Sequence, residues 1–246
     1  MAKLIIGLGT GRCGTTSLSV FLNAQEKTKV LHEGHDGKDY HLLPWYNAET
    51  LVSLWLDNLT QSNTANDYYG DVMLYFLPYV EFIMSKFPNA VFICLQRNRA
   101  EVIDSYMNWT GESINHWSYH DGRTWQYDDW DVCFPKFDEP DKAKAIGLYW
   151  DSYYAEVERL IKIYPDKIAC FPTEFLNSIE GQNVILDFID YTGKRQTGIA
   201  CHANKRCSKG LFRSLMLKVM ILSRLILPKQ VRHFLWHNFS IEKLFQ

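Results

Sequence analysis

Residues 9–17, GTGRCGTTS, follow the apolar run 4–8 and carry an unusual density of anion-binding types. A strand, a glycine-rich turn and a helix N-terminus in succession form an anion site, because free backbone N–H groups and the helix dipole converge on one point. Gly9, Gly11 and Gly14 supply the turn, Arg12 a permanent positive charge, and Thr15, Thr16 and Ser17 three hydroxyl donors at the first helical turn. Against the nucleotide-binding pattern G-x-x-x-x-G-K-[ST], Gly9 and Gly14 fall on the glycines and Thr16 on the final hydroxyl, but Thr15 stands where lysine belongs. The loop therefore reads as a phosphate cradle built around arginine. Cys13 sits beside the helix N-terminus, where a thiolate is favoured; its other role is that of a small spacer.

Two further stretches point at the same place. CLQRNRAEVIDSY puts Arg97 just past a buried strand and Ser105 eight residues later on the ensuing helix, where the two can meet one phosphate. Ligands of open α/β sheets lie outside the carboxyl ends of the strands, so Arg97 is expected in the crevice that the loop faces. KVLHEGHDGKDYH contains a short second strand ending near Leu31, expected to run parallel beside the first and to deliver His32, Glu33, His35 and Asp36 to the crevice mouth. These four are candidates for a general base. The alternatives are Asp71 as base, or a structural role for the cluster as surface hydrogen-bonders. A glutamate base would give an acid limb near about 4 to 5, a histidine one near about 6.5.

The elements that must hold these residues follow from the apolar pattern. Short apolar runs alternate with helical periodicity, the signature of an α/β fold with a mostly parallel central sheet flanked by helices. Strands are expected at 3–9, 28–31, 89–96 and 168–171, with 67–72 as an edge strand; helices at 16–24, 48–58, 77–86, 100–109, 141–164 and 184–191. The 246 residues, 47% apolar, suffice for a single domain over 1–246, with a loop-rich insertion at about 110–140 and an apolar C-terminal helix at about 211–227.

Composition excludes several classes. A net charge of −2 gives no broad nucleic-acid surface. Six cysteines without C-x-x-C spacing predict neither a disulfide framework nor a zinc site, and reduced thiols imply a cytoplasmic location. The start Met-Ala-Lys followed by a strand leaves no room for a secretory leader. The run 211–227, broken by Arg213, Lys218 and Arg224, is too short to span a bilayer; it is expected to pack on the domain, or to form a homodimer or peripheral membrane contact. The insertion carries seven carboxylates against Arg123 and Lys136, with Trp117, Trp125 and Trp130 among them. Either these tryptophans anchor a lid, or they offer faces to a neutral sugar, a hydroxylated lipid or an amine.

The loop and the Arg97/Ser105 pair together resemble the sulfotransferase family, whose donor is 3′-phosphoadenosine 5′-phosphosulfate (PAPS). In that family the loop after the first strand grips the 5′-phosphosulfate, matched here by GTGRCGTTSL, and an arginine and a serine hold the 3′-phosphate, matched by Arg97 and Ser105 at the family's spacing. The likeness runs through PNAVFICLQRNRAEVIDSYMNW and more loosely through ACFPTEFL at 169–176, about two thirds of the chain. It implies a P-loop-NTPase-like sulfotransferase architecture and transfer of a sulfuryl group to an acceptor hydroxyl or amine of a sugar, hydroxylated lipid or small molecule. It also implies 3′-phosphoadenosine 5′-phosphate (PAP) as product, no metal, and Arg12 stabilising charge on the departing phosphate. Glu33 matches the base of carbohydrate-type members; in the small-molecule branch a histidine serves, which keeps His32 and His35 in view. A lysine that assists the leaving group in some members is replaced by the stretch YYGDVMLYF, which has Asp71 and no lysine. A basic loop that closes over the 3′-phosphate in many members has its counterpart in 202–210, with Lys205, Arg206 and Lys209 as candidates. Two other classes fit parts of the pattern: a nucleotide or small-molecule kinase, opposed by the missing lysine, and a non-catalytic nucleotide-binding module.

Overall fold

The computed structural model describes residues 2–34, 41–110, 114–119 and 128–200, all within the compact unit Met1–Ala203. His35, Asp36, Trp125, Lys205, Arg206, Lys209 and the helix expected at 211–227 lie outside the described residues.

Strands β1 (Lys3–Leu8), β2 (Thr28–His32), β3 (Tyr68–Val72), β4 (Val91–Gln96) and β5 (Ile168–Pro172) form one parallel sheet in the order β2-β3-β1-β4-β5. The helices are α1 (Thr15–Asn23), α2 (Glu49–Ser62), α3 (Val80–Lys86), α4 (Arg99–Thr110), α5 (Lys142–Ile163) and α6 (Ile179–Phe188). Strands covered on both faces read as continuous apolar runs, as KLIIGL of β1 and VFICLQ of β4 do. Alternate residues of β1 serve opposite faces: Leu4, Ile6 and Leu8 join the core under α2 to α5, and Ile5 joins the one under α1 and α6.

Two expectations about the sheet are corrected. Residues 67–72, read as an edge strand, form β3 in the interior between β2 and β1, and β2 pairs with β3 instead of lying beside β1. The reason is close approach. All of β3 is buried, and at Gly70 a Cβ would fall on the Ile5 carbonyl, so a bare glycine is what lets β3 lie against β1. The polar look of the segment misleads because its polar groups are satisfied internally: Tyr68 Oη donates to the Asp190 carbonyl and Tyr69 Oη lies 3.1 Å from Thr60 Oγ1. In this order the connection from β1 leads to one side and that from β3 to the other, which opens a crevice at their carboxyl ends.

Helix limits shift where caps decide them. α6 starts at Ile179, ahead of the expected 184, because the Ser178 side chain accepts the Gly181 N–H. The segment read as helix from 77 begins as a 3-10 turn, Leu74–Tyr79, that houses Pro78 before α3. In the insertion, Trp117 is fully buried, 4.7 Å from the Tyr106 ring and 4.9 Å from that of Phe134, and is thus an anchor of the core.

Candidate active site

The loop after β1 has left-handed backbone at Gly9 (φ 149°), Gly11 (75°), Arg12 (55°) and Gly14 (93°). Its carbonyls are tied back into the protein. Thr10 O accepts from Tyr106 Oη (2.6 Å) and Tyr149 Oη (3.2 Å), Arg12 O from Arg97 Nη1 (3.1 Å), and Cys13 O from Thr173 Oγ1 (2.8 Å). In a trans peptide the N–H opposes the C=O, so the N–H groups of Gly11, Cys13 and Gly14 point away from these partners, those of Gly11 and Cys13 toward the buried Cys13 thiol. Tyr153 Oη accepts the Gly9 N–H at 2.9 Å and donates to Leu74 O at 3.0 Å. A Cβ at Gly11 would strike the Tyr106 hydroxyl, and one at Gly14 the Thr173 methyl, so both glycines are dictated by space as well as by φ.

The Arg12 side chain crosses to α4. Its Nε donates to Ser105 Oγ at 3.0 Å, and its guanidinium lies 5.8 Å from the centre of the Trp109 ring. Arg97, besides its bond to the Arg12 carbonyl, pairs with Glu101 at 2.7 Å, and Trp150 Nε1 donates to the Arg97 carbonyl at 3.1 Å. The sequence suggested Arg12 at one phosphate and Arg97 with Ser105 at another; the fold draws all three into one cluster, with Ser105 bonded to Arg12.

At the end of β2, His32 Nε2 lies 3.1 Å from Thr15 Oγ1 and 3.3 Å from Thr16 Oγ1, and His32 Nδ1 lies 3.9 Å from Glu33 Oε2. The histidine is thus in hydrogen-bond reach of the loop hydroxyls, while the carboxylate stands beyond hydrogen-bond distance of its other nitrogen. Glu33 has φ 53° and Gly34 φ 67°, a left-handed pair that turns the chain off the strand. Burial pushes the Glu33 carboxyl up to about 7, against the downward pull of Arg12. An acid limb near 7 consequently does not separate a glutamate base from a histidine, contrary to the expectation from ordinary values.

Cys13 contributes backbone only. Its side chain is fully buried and burial pushes the thiol up to about 11, so it is a spacer and no thiolate. The dipole of α1 does not compensate for the lost water. Ser17 lies in the first turn of α1, half-buried, one residue beyond Thr16.

Several positioning residues escaped the sequence reading. Tyr149 and Tyr153 stand four apart on α5 and so share a face, a spacing that was legible; what it pinned was not. Tyr106 and Thr173 carried no signal of their own. Among the described residues no group of three or more His, Cys, Asp or Glu is placed to hold a metal ion, and no helix is long and apolar enough to cross a membrane.

Comparisons with known proteins bear on this geometry. The profile of the sulfotransferase family matches residues 32–162, more than half of the chain. The fold is similar to the crystal structure of a sulfotransferase from Alicyclobacillus acidocaldarius, with TM-score 0.52 and 15% identity over 90% of this chain and 94% of that one. No curated protein matches the chain. The parallel sheet flanked by helices and the profile match agree: the chain belongs to the sulfotransferase family.

Proposed function

We propose that the chain transfers the sulfuryl group of PAPS to an acceptor hydroxyl or amine. The observation that carries this reading is the tied-back glycine loop after β1, with Arg12, Arg97 and Ser105 gathered beside it. The cluster fits a phosphosulfate and a second phosphate by chemistry: two guanidiniums and several hydroxyl and N–H donors, with Glu101 paired to Arg97 and Glu33 in electrostatic reach of Arg12. The donor, when bound, supplies an electrophilic sulfur whose bond to the phosphate oxygen breaks as the acceptor oxygen or nitrogen attacks. Arg12 and the loop N–H groups stabilise the charge that appears on the departing phosphate. Glu33 takes the acceptor's proton, beside His32, which is in hydrogen-bond reach of the loop hydroxyls.

The Walker-like spacing favours a second reading, a kinase. Against it, Asp71, the carboxylate at the end of β3, is fully buried and bonded to Gly34 and Trp55. Trp109, 5.8 Å from the Arg12 guanidinium, and Trp130, 6.1 Å from Trp109, offer aromatic faces that suit an uncharged or cationic acceptor. Free thiols at Cys13, Cys94, Cys133 and Cys170 are in keeping with a cytoplasmic location.

The test is a mass-spectrometric search of sugars, hydroxylated lipids, amines and a heparin-like polymer incubated with enzyme and PAPS. A member of the first three classes is expected to gain a sulfuryl group with the wild type and far more slowly with Glu33→Gln. Failure of every class, with PAPS unconsumed, contradicts the proposal.

A further inference from the structure

Glu33 leaves β2 through two successive left-handed residues, a conformation that a non-glycine residue adopts only when its surroundings impose it. Three contacts do so. The Glu33 N–H donates to Val72 O (3.0 Å), Glu33 O accepts the His41 N–H (2.8 Å), and the Gly34 N–H donates to Asp71 Oδ2 (3.0 Å). The same Oδ2 accepts the Trp55 indole N–H at 3.1 Å, and Trp55 stacks on the His41 ring at 4.3 Å. Space around Gly34 is fully used: a Cβ there would strike His41 and crowd Trp55. Asp71 is 0% exposed, and its Oδ1 has no hydrogen-bond partner among the described residues. A buried carboxyl with one oxygen unpaired costs stability, so what its other oxygen does is the reason to look for.

We propose that Asp71 is the positioning residue of the base: its Oδ2 gathers the Gly34 and Trp55 N–H groups and so sets the direction in which Glu33 enters the crevice. The inference rests on the reading of Glu33 as proton acceptor. Among the described residues, the groups that face Glu33 are Arg12 from the loop, His32 from β2, Asp71 from β3, Tyr106 from α4 and Cys133 from the insertion, with Asp128 near Cys133. Asp71 takes no proton from the acceptor. It is a second step removed, acting through the turn.

The experiment compares the full chain as wild type, Asp71→Asn, Asp71→Ala and Trp55→Phe by three readouts. These are the Glu33 titration by carbon-13 NMR of labelled glutamate carboxyls, assigned with Glu33→Gln; PAP affinity by calorimetry; and kcat on an acceptor from the mass-spectrometric search. Asn keeps an acceptor oxygen, so its Glu33 midpoint stays close to wild type and its kcat within about fivefold. Ala releases the turn and hydrates Glu33, so the midpoint falls by about one unit or more toward the ordinary carboxylate value. Its kcat falls about 10- to 100-fold, with PAP affinity changed less than about twofold. Trp55→Phe moves both in the same direction by less, and serves if the Ala variant does not fold. An unchanged midpoint and kcat in Ala and Phe, or an Asn variant as impaired as Ala, overturns the proposal. A displaced midpoint without sulfuryl transfer in any form would refute the donor reading and leave the positioning role standing; transfer with an undisplaced midpoint would do the reverse.

Discussion

Arg12 and Ser105, 93 positions apart in the chain, meet through a 3.0 Å hydrogen bond from Nε to Oγ. This bond fastens the phosphate loop to α4 and orients the guanidinium across the crevice. Arg12→Ala removes a charge-assisted contact to a bound phosphate and is expected to weaken PAP binding by about 1.5 to 3 kcal/mol. Ser105→Ala leaves the charge but frees its direction, and is expected to cost less, about 1 kcal/mol. Titration calorimetry of both variants decides the order; a larger loss in Ser105→Ala would show that the serine, not the arginine, meets the anion.

Tyr153 has a different duty, since its hydroxyl accepts from Gly9 and donates to Leu74 between two strand ends. Tyr153→Phe strands a buried N–H and a buried carbonyl, a loss on the order of 2 kcal/mol of stability. Thermal denaturation is expected to show a lower Tm, together with weaker PAP binding because the loop loses a pin. A Tm equal to wild type would mean that water replaces the hydroxyl at no cost.

How far the sequence could lead is visible in these two residues. The turn chemistry of Gly9, Gly11 and Gly14, the charge of Arg12 and the spacing of Arg97 to Ser105 are local patterns, and local patterns survive without coordinates. The strand order is not local. Nothing in TKVLH or YYGDV says that β3 intervenes between β1 and β2, because that is decided by how closely Gly70 can approach Ile5. The pins at Tyr106, Tyr149 and Thr173 depend on which helix face meets the loop, and nothing in YYGDV says that the turn at Gly34 closes on Asp71.

The pH dependence of folding follows from the two buried carboxyls. Burial lifts Asp71 from 3.8 to about 8, aided by the charge of Glu33, and lifts Glu33 from 4.5 to about 7. Both are protonated in the folded chain where the unfolded chain is already ionised. Their contribution to stability is therefore complete below about pH 4, and it is lost as pH rises through 7 to 8. Asp71→Asn abolishes the larger part of this slope, so the Tm of the variant is expected to gain on the wild type between about pH 4 and pH 8. Parallel Tm curves for the two proteins would show that Asp71 is ionised in the fold.

The most direct measurement is calorimetric titration of the full chain with PAP in chelator, set beside titration with ATP and Mg²⁺. A loop built on Arg12, Arg97 and Ser105 without the Walker lysine predicts that PAP binds without metal, that the binding weakens at least about tenfold in Arg12→Ala, and that Mg²⁺-ATP binds more weakly than PAP. Heat from Mg²⁺-ATP with none from PAP would contradict the account and make the chain a kinase-like binder of nucleoside triphosphate.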